Sequence, residues 1–209
     1  MIDGGIDQDV HHISGLAQLG AVASMFEELV VVGLETKDRR AELTWRSADP
    51  AENRDYPTNG NSAALRKFLS SEVQPMIDAK YRTSSKDALI GESLAGLFIV
   101  ESLLNHPDTA DVYIAISPGL WWDNGSLAGD ARKVFDNYPT EEREIYLAIA
   151  DEKGPMRDAM LSIVKALKKE KPKGVAWTFS DRPGLEHATI YHREALEALV
   201  WAFPRKPAE

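Results

Sequence analysis

The stretch Ala88-Leu89-Ile90-Gly91-Glu92-Ser93-Leu94-Ala95-Gly96 decides the fold. Its first three residues predict a short buried strand, and the apolar run that starts at Leu94 predicts a helix. The turn between them carries Ser93, flanked by the small residues Gly91 and Ala95, which allow a strand and a helix to pass closely. Strand, sharp turn with a central serine and helix is the pattern of a nucleophile elbow, which exposes the serine hydroxyl at the carboxyl end of a sheet. The stretch therefore predicts Ser93 as a nucleophile.

The composition limits the classes of function that the chain can serve. Its 209 residues suit one domain over residues 1–209, and the formal charge of −9 argues against nucleic acid or an anionic membrane as a partner. The absence of cysteine excludes disulfides, thiolate metal sites and a cysteine nucleophile. No apolar run reaches the length of a membrane span, and acidic residues stand where a secretion signal would be basic. The sequence therefore predicts a cytoplasmic protein.

Short apolar segments alternate with amphipathic ones along the chain. This alternation predicts an α/β fold with a mostly parallel sheet flanked by helices. Strands are predicted, besides 88–90, at Leu29–Leu34, Val112–Ile116, Ile145–Ala150 and Val175–Phe179. Helices are predicted at His12–Phe26, Ser62–Tyr81, Leu94–Leu104, Ser126–Tyr138, Met156–Lys168 and Ala188–Phe203, with a long polar loop over Thr36–Asn61.

A serine hydroxyl near neutral pH needs a neighbouring base, and the base needs a carboxylate to orient it. Asp151 and Glu152 follow one predicted strand, and His187 lies in the loop after the next. Parallel strands deliver such residues to the same edge of a sheet. The chain order of serine, acid and histidine is that of α/β-hydrolases. We therefore expect Ser93, His187 and one of the two carboxylates to form a catalytic triad, with Glu152 favoured over Asp151.

Other histidines compete for the role of base. His192 lies inside the last predicted helix, and His106 lies at the end of the elbow helix far from the serine. His187 has a plainer interpretation as a residue that caps a helix or lies at the surface. A metal site near the start of the chain is a further alternative, but adjacent histidines rarely face one ion and we expect no metal there; its candidate ligands are Asp7, Asp9, His11 and His12.

An oxyanion that forms at the serine needs two hydrogen-bond donors. The backbone N–H of Leu94, at the start of the elbow helix, is the first candidate. The turn at Gly4-Gly5 is the best candidate for the second, although these glycines have a plainer interpretation as a flexible terminus.

Aromatic and basic residues after predicted strands are candidates for substrate contacts. Trp121 and Trp122 follow one strand end and suit the wall of a pocket, or they simply pack. Arg39 and Arg40 follow the first predicted strand, where one of them can meet a polar substrate group or form a surface ion pair.

Several strings together resemble the putative-esterase family of the α/β-hydrolase superfamily, which contains enterochelin esterase-like enzymes and relatives of S-formylglutathione hydrolase. The resemblance covers nearly the whole chain and rests on Asp3-Gly4-Gly5, on Phe68-Leu69 with Glu72-Val73 and Lys80-Tyr81-Arg82-Thr83, on Gly91 to Phe98, on Ser117-Pro118-Gly119-Leu120-Trp121-Trp122-Asp123 and on His187 before the last helix.

The resemblance implies ester hydrolysis without a metal or organic cofactor, on a small-molecule ester. It implies Ser93 as nucleophile, His187 as base, Glu152 as acid, and Leu94 with the Gly4-Gly5 turn as oxyanion donors. Two residues depart from the family: Glu92 stands where the family often has His, and Ala95 where it often has Gly. Glu92 adjoins the nucleophile and is expected to affect pKa values or the choice of alcohol.

The family also has strands before the Asp-Gly-Gly turn with which this chain starts. The strand ending at that turn would lie between Leu29–Leu34 and the elbow strand, so its absence predicts a gap in the sheet with unpaired backbone groups. A truncated product, rearranged strands and a second chain in the gap are all open, and the last favours a homodimer. Two rivals to an ester hydrolase follow: a non-catalytic binding protein of the same fold, and an acyltransferase that uses the same triad.

Overall fold

The computed structural model describes residues 1–84 and 86–205. In this part of the chain four parallel strands form one sheet in the order β1-β2-β3-β4. They are β1 (Ala88–Glu92), β2 (Val112–Ile116), β3 (Arg143–Ile149) and β4 (Val175–Asp181). All residues of β2 are buried, as expected for a central strand covered on both faces. Because the strands are parallel, their carboxyl ends share one edge, and the sequence prediction of an α/β fold is confirmed.

Helices cover both faces of the sheet. On one face the long apolar helix α6 (Leu94–Asn105) packs on β1 and β2 and contacts α7 (Ser126–Asp136), which in turn packs on α8 (Pro155–Glu170). On the other face α1 (Val10–Val22) and α9 (His187–Ala202) pack together. No helix in the described ranges combines the length and the apolar character that crossing a membrane requires. The helices are α1 (Val10–Val22), α2 (Arg39–Glu42), α3 (Pro50–Asp55), α4 (Ser62–Phe68), α5 (Gln74–Lys80), α6 (Leu94–Asn105), α7 (Ser126–Asp136), α8 (Pro155–Glu170) and α9 (His187–Ala202).

The predicted strand Leu29–Leu34 is wrong. Only Leu34 forms a bridge, to Ile2. The first residues lie between this segment and β1: Leu34 N–H donates to Met1 O (3.0 Å), and Ile2 N–H donates to Ile90 O (3.1 Å). Within the described ranges the backbone hydrogen bonds of Met1 and Gly4 reach this segment at Val32 and Leu34, so no ladder runs along its earlier residues. A cavity of about 500 Å³, lined by residues that include Val30 and Ala88, lies beside them.

Two other segments differ from the sequence prediction. The loop over residues 36–61 contains the short helices α2 and α3, each begun by an aspartate whose carboxylate accepts backbone N–H bonds. The helix predicted over Ser62–Tyr81 is interrupted by a π-helical turn at Leu69–Val73. Pro75 follows this turn and lacks an N–H, so a regular helix would lose a hydrogen bond there and clash with the preceding turn.

Candidate active site

Ser93 lies in the sharp turn between β1 and α6. Its backbone has φ 57° and ψ −116°, in a region that residues with a side chain rarely adopt. The strand and the helix leave no room for side chains here, because a Cβ on Gly91 would lie 2.6 Å from the Cβ of Ala95. Ser93 N–H donates to Ile116 O (3.1 Å), which fastens the turn to the end of β2. The turn therefore presents the serine hydroxyl at the carboxyl edge of the sheet.

His187 and Glu152 meet Ser93 at this edge. His187 is the first residue of α9, and Glu152 follows the end of β3. The Nε2 atom of His187 lies 3.0 Å from Ser93 Oγ, and its Nδ1 lies 2.8 Å from Glu152 Oε1. The Glu152 side chain is only 8% exposed, whereas that of His187 is 42% exposed, so solvent reaches this contact from the side of the ring. The three side chains thus form one continuous line of contacts, carboxylate to imidazole to hydroxyl.

The structure separates the two carboxylates that follow β3. Asp151 is exposed and its carboxylate contacts the ammonium of Lys153, whereas Glu152 reaches His187. The side chain of Asp151 therefore lies away from the imidazole ring.

Glu92, the last residue of β1, makes a second contact with the same ring. Its Oε1 lies 3.1 Å from His187 Nε2, although no group in the described part of the chain donates a hydrogen bond of good geometry to that oxygen. Burial raises the pKa of Glu92 to about 7, against the opposing effect of His187. Sequence reasoning placed Glu92 beside the nucleophile but not in contact with the base. Its position immediately before Ser93 was the signal available.

The backbone donors near Ser93 are not equivalent. Leu94 N–H belongs to the first turn of α6, where helical N–H groups have no partner within the helix. Gly5 N–H donates to the side-chain oxygen of Gln8 (2.8 Å). Gly4 N–H donates to Leu34 O (2.7 Å), so this N–H is already engaged and does not serve as the oxyanion donor that the sequence predicted. Gly4 instead allows two segments of backbone to approach closely, because a Cβ at this position would lie 2.3 Å from the Cα of Gly33.

The two tryptophans occupy different environments. Trp122 is 1% exposed, and its indole N–H donates to Trp45 O (3.2 Å), so it is a core residue and not the pocket wall that the sequence suggested. Trp121 is half-buried and lies near Gly119, whose N–H donates to Ser93 O. The guanidinium of Arg40 lies 4.2 Å from the ring centre of Tyr56 and 5.4 Å from that of Trp121. Its buried Nη1 has no hydrogen-bond partner among the described residues.

The remaining candidates lie outside this line of contacts. Arg39 pairs with the buried Asp3 (2.7 Å), and His12 packs edge-on against His192, with ring centres 4.8 Å apart. Within the described ranges no group of three or more histidine, aspartate or glutamate side chains is arranged to hold a metal ion.

Comparison with known proteins shows the family to which the chain belongs. The sequence profile of the family described as "Putative esterase" matches residues 1–182. The chain belongs to the putative esterase family. Its fold is shared with an IroE-like serine hydrolase from Shewanella oneidensis (TM-score 0.87, 22% identity, 97% of this chain and 68% of that one). The fold is also shared with the BES protein from Bacillus cereus (TM-score 0.85, 17% identity, 98% of this chain and 81% of that one).

Two curated members of the esterase family are similar over shorter stretches. The siderophore enterobactin esterase of Emericella nidulans is 36% identical over 78 residues, which cover 36% of this chain and 26% of that protein. The ferri-bacillibactin esterase BesA of Bacillus subtilis is 29% identical over 106 residues, which cover 46% of this chain and 37% of that protein. The matched stretches thus span well under half the length of these two relatives.

Proposed function

We propose that this chain is a serine carboxylic-ester hydrolase. The observation that carries the proposal is the line of contacts from Glu152 through His187 to Ser93, with Ser93 on a strained turn at the carboxyl edge of the sheet. Membership of the esterase family supports the same reaction. No ion or organic group is needed for the chemistry that these side chains perform.

The geometry supports a two-step mechanism through an acyl-enzyme. Ser93 Oγ attacks the ester carbonyl carbon while its proton passes to Nε2 of His187, and Glu152 stabilises the imidazolium through Nδ1–H. The carbonyl oxygen becomes an oxyanion, which Leu94 N–H stabilises. Gly5 N–H is the second donor if the substrate oxygen replaces the Gln8 amide oxygen on it. The imidazolium then protonates the leaving alkoxide as its bond to carbon breaks, and water repeats both steps to release the acid.

Labelling with a fluorophosphonate tests this proposal most directly. The reagent phosphonylates only a serine that its neighbours activate, so we expect one adduct per chain, mapped to the peptide that contains Ser93. The Ser93→Ala variant should lose both the adduct and ester hydrolysis, whereas Ser71→Ala, at an exposed serine, should keep both. A cooperatively folded protein that takes up no label would contradict the proposal and favour a non-catalytic binding protein. A product analysis with added alcohols would detect acyl transfer in place of hydrolysis.

We propose further that the substrate is a siderophore-type ester with an anionic or aromatic group. The relatives named as siderophore esterases support this class. So does Arg40, a cation held against two aromatic rings with one nitrogen free of any partner in the described chain. Such a guanidinium can stack on an aromatic ring and donate hydrogen bonds to an anion.

The Arg40→Met variant tests this substrate class. It should raise KM for enterobactin and for para-nitrophenyl hemisuccinate while leaving KM for the neutral para-nitrophenyl butyrate unchanged. Loss of a charge-assisted contact predicts a rise of about 10-fold or more. An equal change for charged and neutral esters would contradict the assignment of Arg40 to substrate binding.

A further inference from the structure

The base of the candidate triad has two oxygen neighbours at one nitrogen. His187 Nε2 lies 3.0 Å from Ser93 Oγ and 3.1 Å from Glu92 Oε1, while Nδ1 is engaged with Glu152. A neutral imidazole with its proton on Nδ1 has a single lone pair on Nε2. Ser93 Oγ lies in hydrogen-bond geometry with that lone pair, whereas Glu92 Oε1 lies beside it without such geometry.

The surroundings of Glu92 favour a proton at this contact. Its side chain is 18% exposed, and its Oε1 is buried with no donor of good geometry in the described ranges. Leaving a buried carboxylate oxygen without a donor is costly, and a proton on Glu92 removes that cost. The pKa of Glu92, raised to about 7 chiefly by burial, agrees with this arrangement.

Charges of both signs face Glu92 from the neighbouring elements. His187 on α9 and Arg39 on α2 favour the carboxylate, whereas Asp3 and Asp9, which precede α1, oppose it. Arg39 is already paired with Asp3, so the negative charge of Asp3 offsets part of the effect of Arg39 on Glu92. The hydroxyl of Tyr191 is a neutral neighbour on α9, because burial among these carboxylates raises its pKa well above the usual range.

We propose that Glu92 is a positioning residue that shares one proton with His187 and thereby sets the lower pH limit of catalysis. The inference rests on the proposed esterase function. In the protonated pair the proton sits on Glu92 or on His187 Nε2, and in the second form the lone pair that Ser93 needs is occupied. When the pair releases this proton, Glu92 becomes a carboxylate and Nε2 is free to accept from Ser93 Oγ. Activity therefore rises with pH as the pair deprotonates, and the midpoint belongs to the pair and not to either residue alone.

Replacement of Glu92 by groups that do not titrate is the kinetic test. Glu92→Met and Glu92→Gln should each move the acidic limb of the kcat/KM profile, measured by pH-stat on para-nitrophenyl butyrate, about one pH unit or more lower, as expected when a charge 3–4 Å from the base is removed. Asp9→Asn is the matched control, because Asp9 adds negative charge near Glu92 without contacting His187. It should shift the limb by far less. Superimposable profiles for wild type and Glu92→Met, or an equal shift in Asp9→Asn, would overturn the proposal.

A second measurement needs no turnover and separates this inference from the proposed function. The carboxyl carbon of Glu92, assigned by its loss in Glu92→Gln, should titrate near pH 7 in the ¹³C NMR spectrum of the substrate-free wild-type protein. A midpoint at the ordinary glutamate value would overturn the shared proton. A midpoint near 7 in a protein that takes up no fluorophosphonate would instead support the shared proton and refute the esterase function.

Discussion

Glu152→Gln is the substitution that most sharply tests the candidate triad. Glutamine has nearly the same shape, so it can stay within 2.8 Å of His187 Nδ1 while the negative charge is lost. The variant removes the stabilisation of the imidazolium that forms in the transition state. It also lets the side-chain NH₂ face Nδ1, which would favour the wrong tautomer of the ring.

The expected loss can be worked from the burial of the pair. Two unit charges about 4 Å apart at an effective dielectric constant of about 20 interact by about 4 kcal/mol. The Glu152 side chain is 8% exposed but that of His187 is 42% exposed, so solvent weakens this value. Since each 1.4 kcal/mol is a factor of ten, and carboxylate-to-amide changes in such triads reach about 10,000-fold, kcat should fall by about 100-fold to 10,000-fold.

Asp151→Asn is the matched control for this assay. Asp151 precedes Glu152 and carries the same charge, and its carboxylate contacts the exposed Lys153 instead of the imidazole ring, so its removal should change kcat by less than about fivefold. Both variants are compared by initial rates of hydrolysis of para-nitrophenyl butyrate and by the rate of fluorophosphonate labelling. A Glu152→Gln enzyme within fivefold of wild type, or a loss in Asp151→Asn as large as in Glu152→Gln, would refute the assignment of the acid.

Two further predictions concern stability and are read from urea unfolding. Arg66→Met should lower the free energy of unfolding by about 3–5 kcal/mol, because it strips the buried Glu101 carboxylate of its ion pair (2.9 Å), and the double variant Arg66→Met/Glu101→Leu should recover most of the loss. A single variant as stable as wild type would contradict this. Gly33→Ala should cost about 1–3 kcal/mol, since its Cβ would lie 2.3 Å from Gly4 O, whereas Gly129→Ala, with no atom within 4 Å of its Cβ, should be neutral or stabilising. Equal stability of the two alanine variants would refute the close approach.

The sheet of this protein was predictable from its sequence because every strand has local signals. Each of β1 to β4 is a short apolar run followed by polar residues or glycine, and the helices between them have apolar stripes. The error at Leu29–Leu34 has a different origin. Its β-branched residues fit a strand, but a strand also needs partners, and in the described ranges the first residues of the chain form hydrogen bonds with this segment only at Val32 and Leu34. Whether a neighbouring strand is present to pair with a segment depends on the tertiary structure, and no local sequence pattern contains this information.

The order of elements also indicated which residues would meet at the site. Ser93, Glu152 and His187 each follow or end a strand segment on the same edge, so strand order alone brings their backbones together. Strand order could not show which of the two adjacent carboxylates, Asp151 or Glu152, would reach the ring of His187. In the structure Asp151 N–H donates to Leu185 O (2.9 Å), which fixes the turn after β3, and the next side chain reaches the ring. A one-residue change in that turn would exchange the two carboxylates.

The contact of Glu92 with His187 shows where prediction from sequence had to stop. Glu92 ends β1 on the residue before Ser93, and its Oε1 lies 3.1 Å from His187 Nε2. Whether it reaches Nε2 depends on how far α9 begins from the end of β1, a distance between elements nearly a hundred residues apart in the chain. A carboxylate at this position places negative charge at both nitrogens of one imidazole, since Glu152 already occupies Nδ1. Two carboxylates beside one imidazole stabilise the imidazolium that the proposed mechanism forms, so in this proposal the contact that strengthens the base also favours the resting protonated pair.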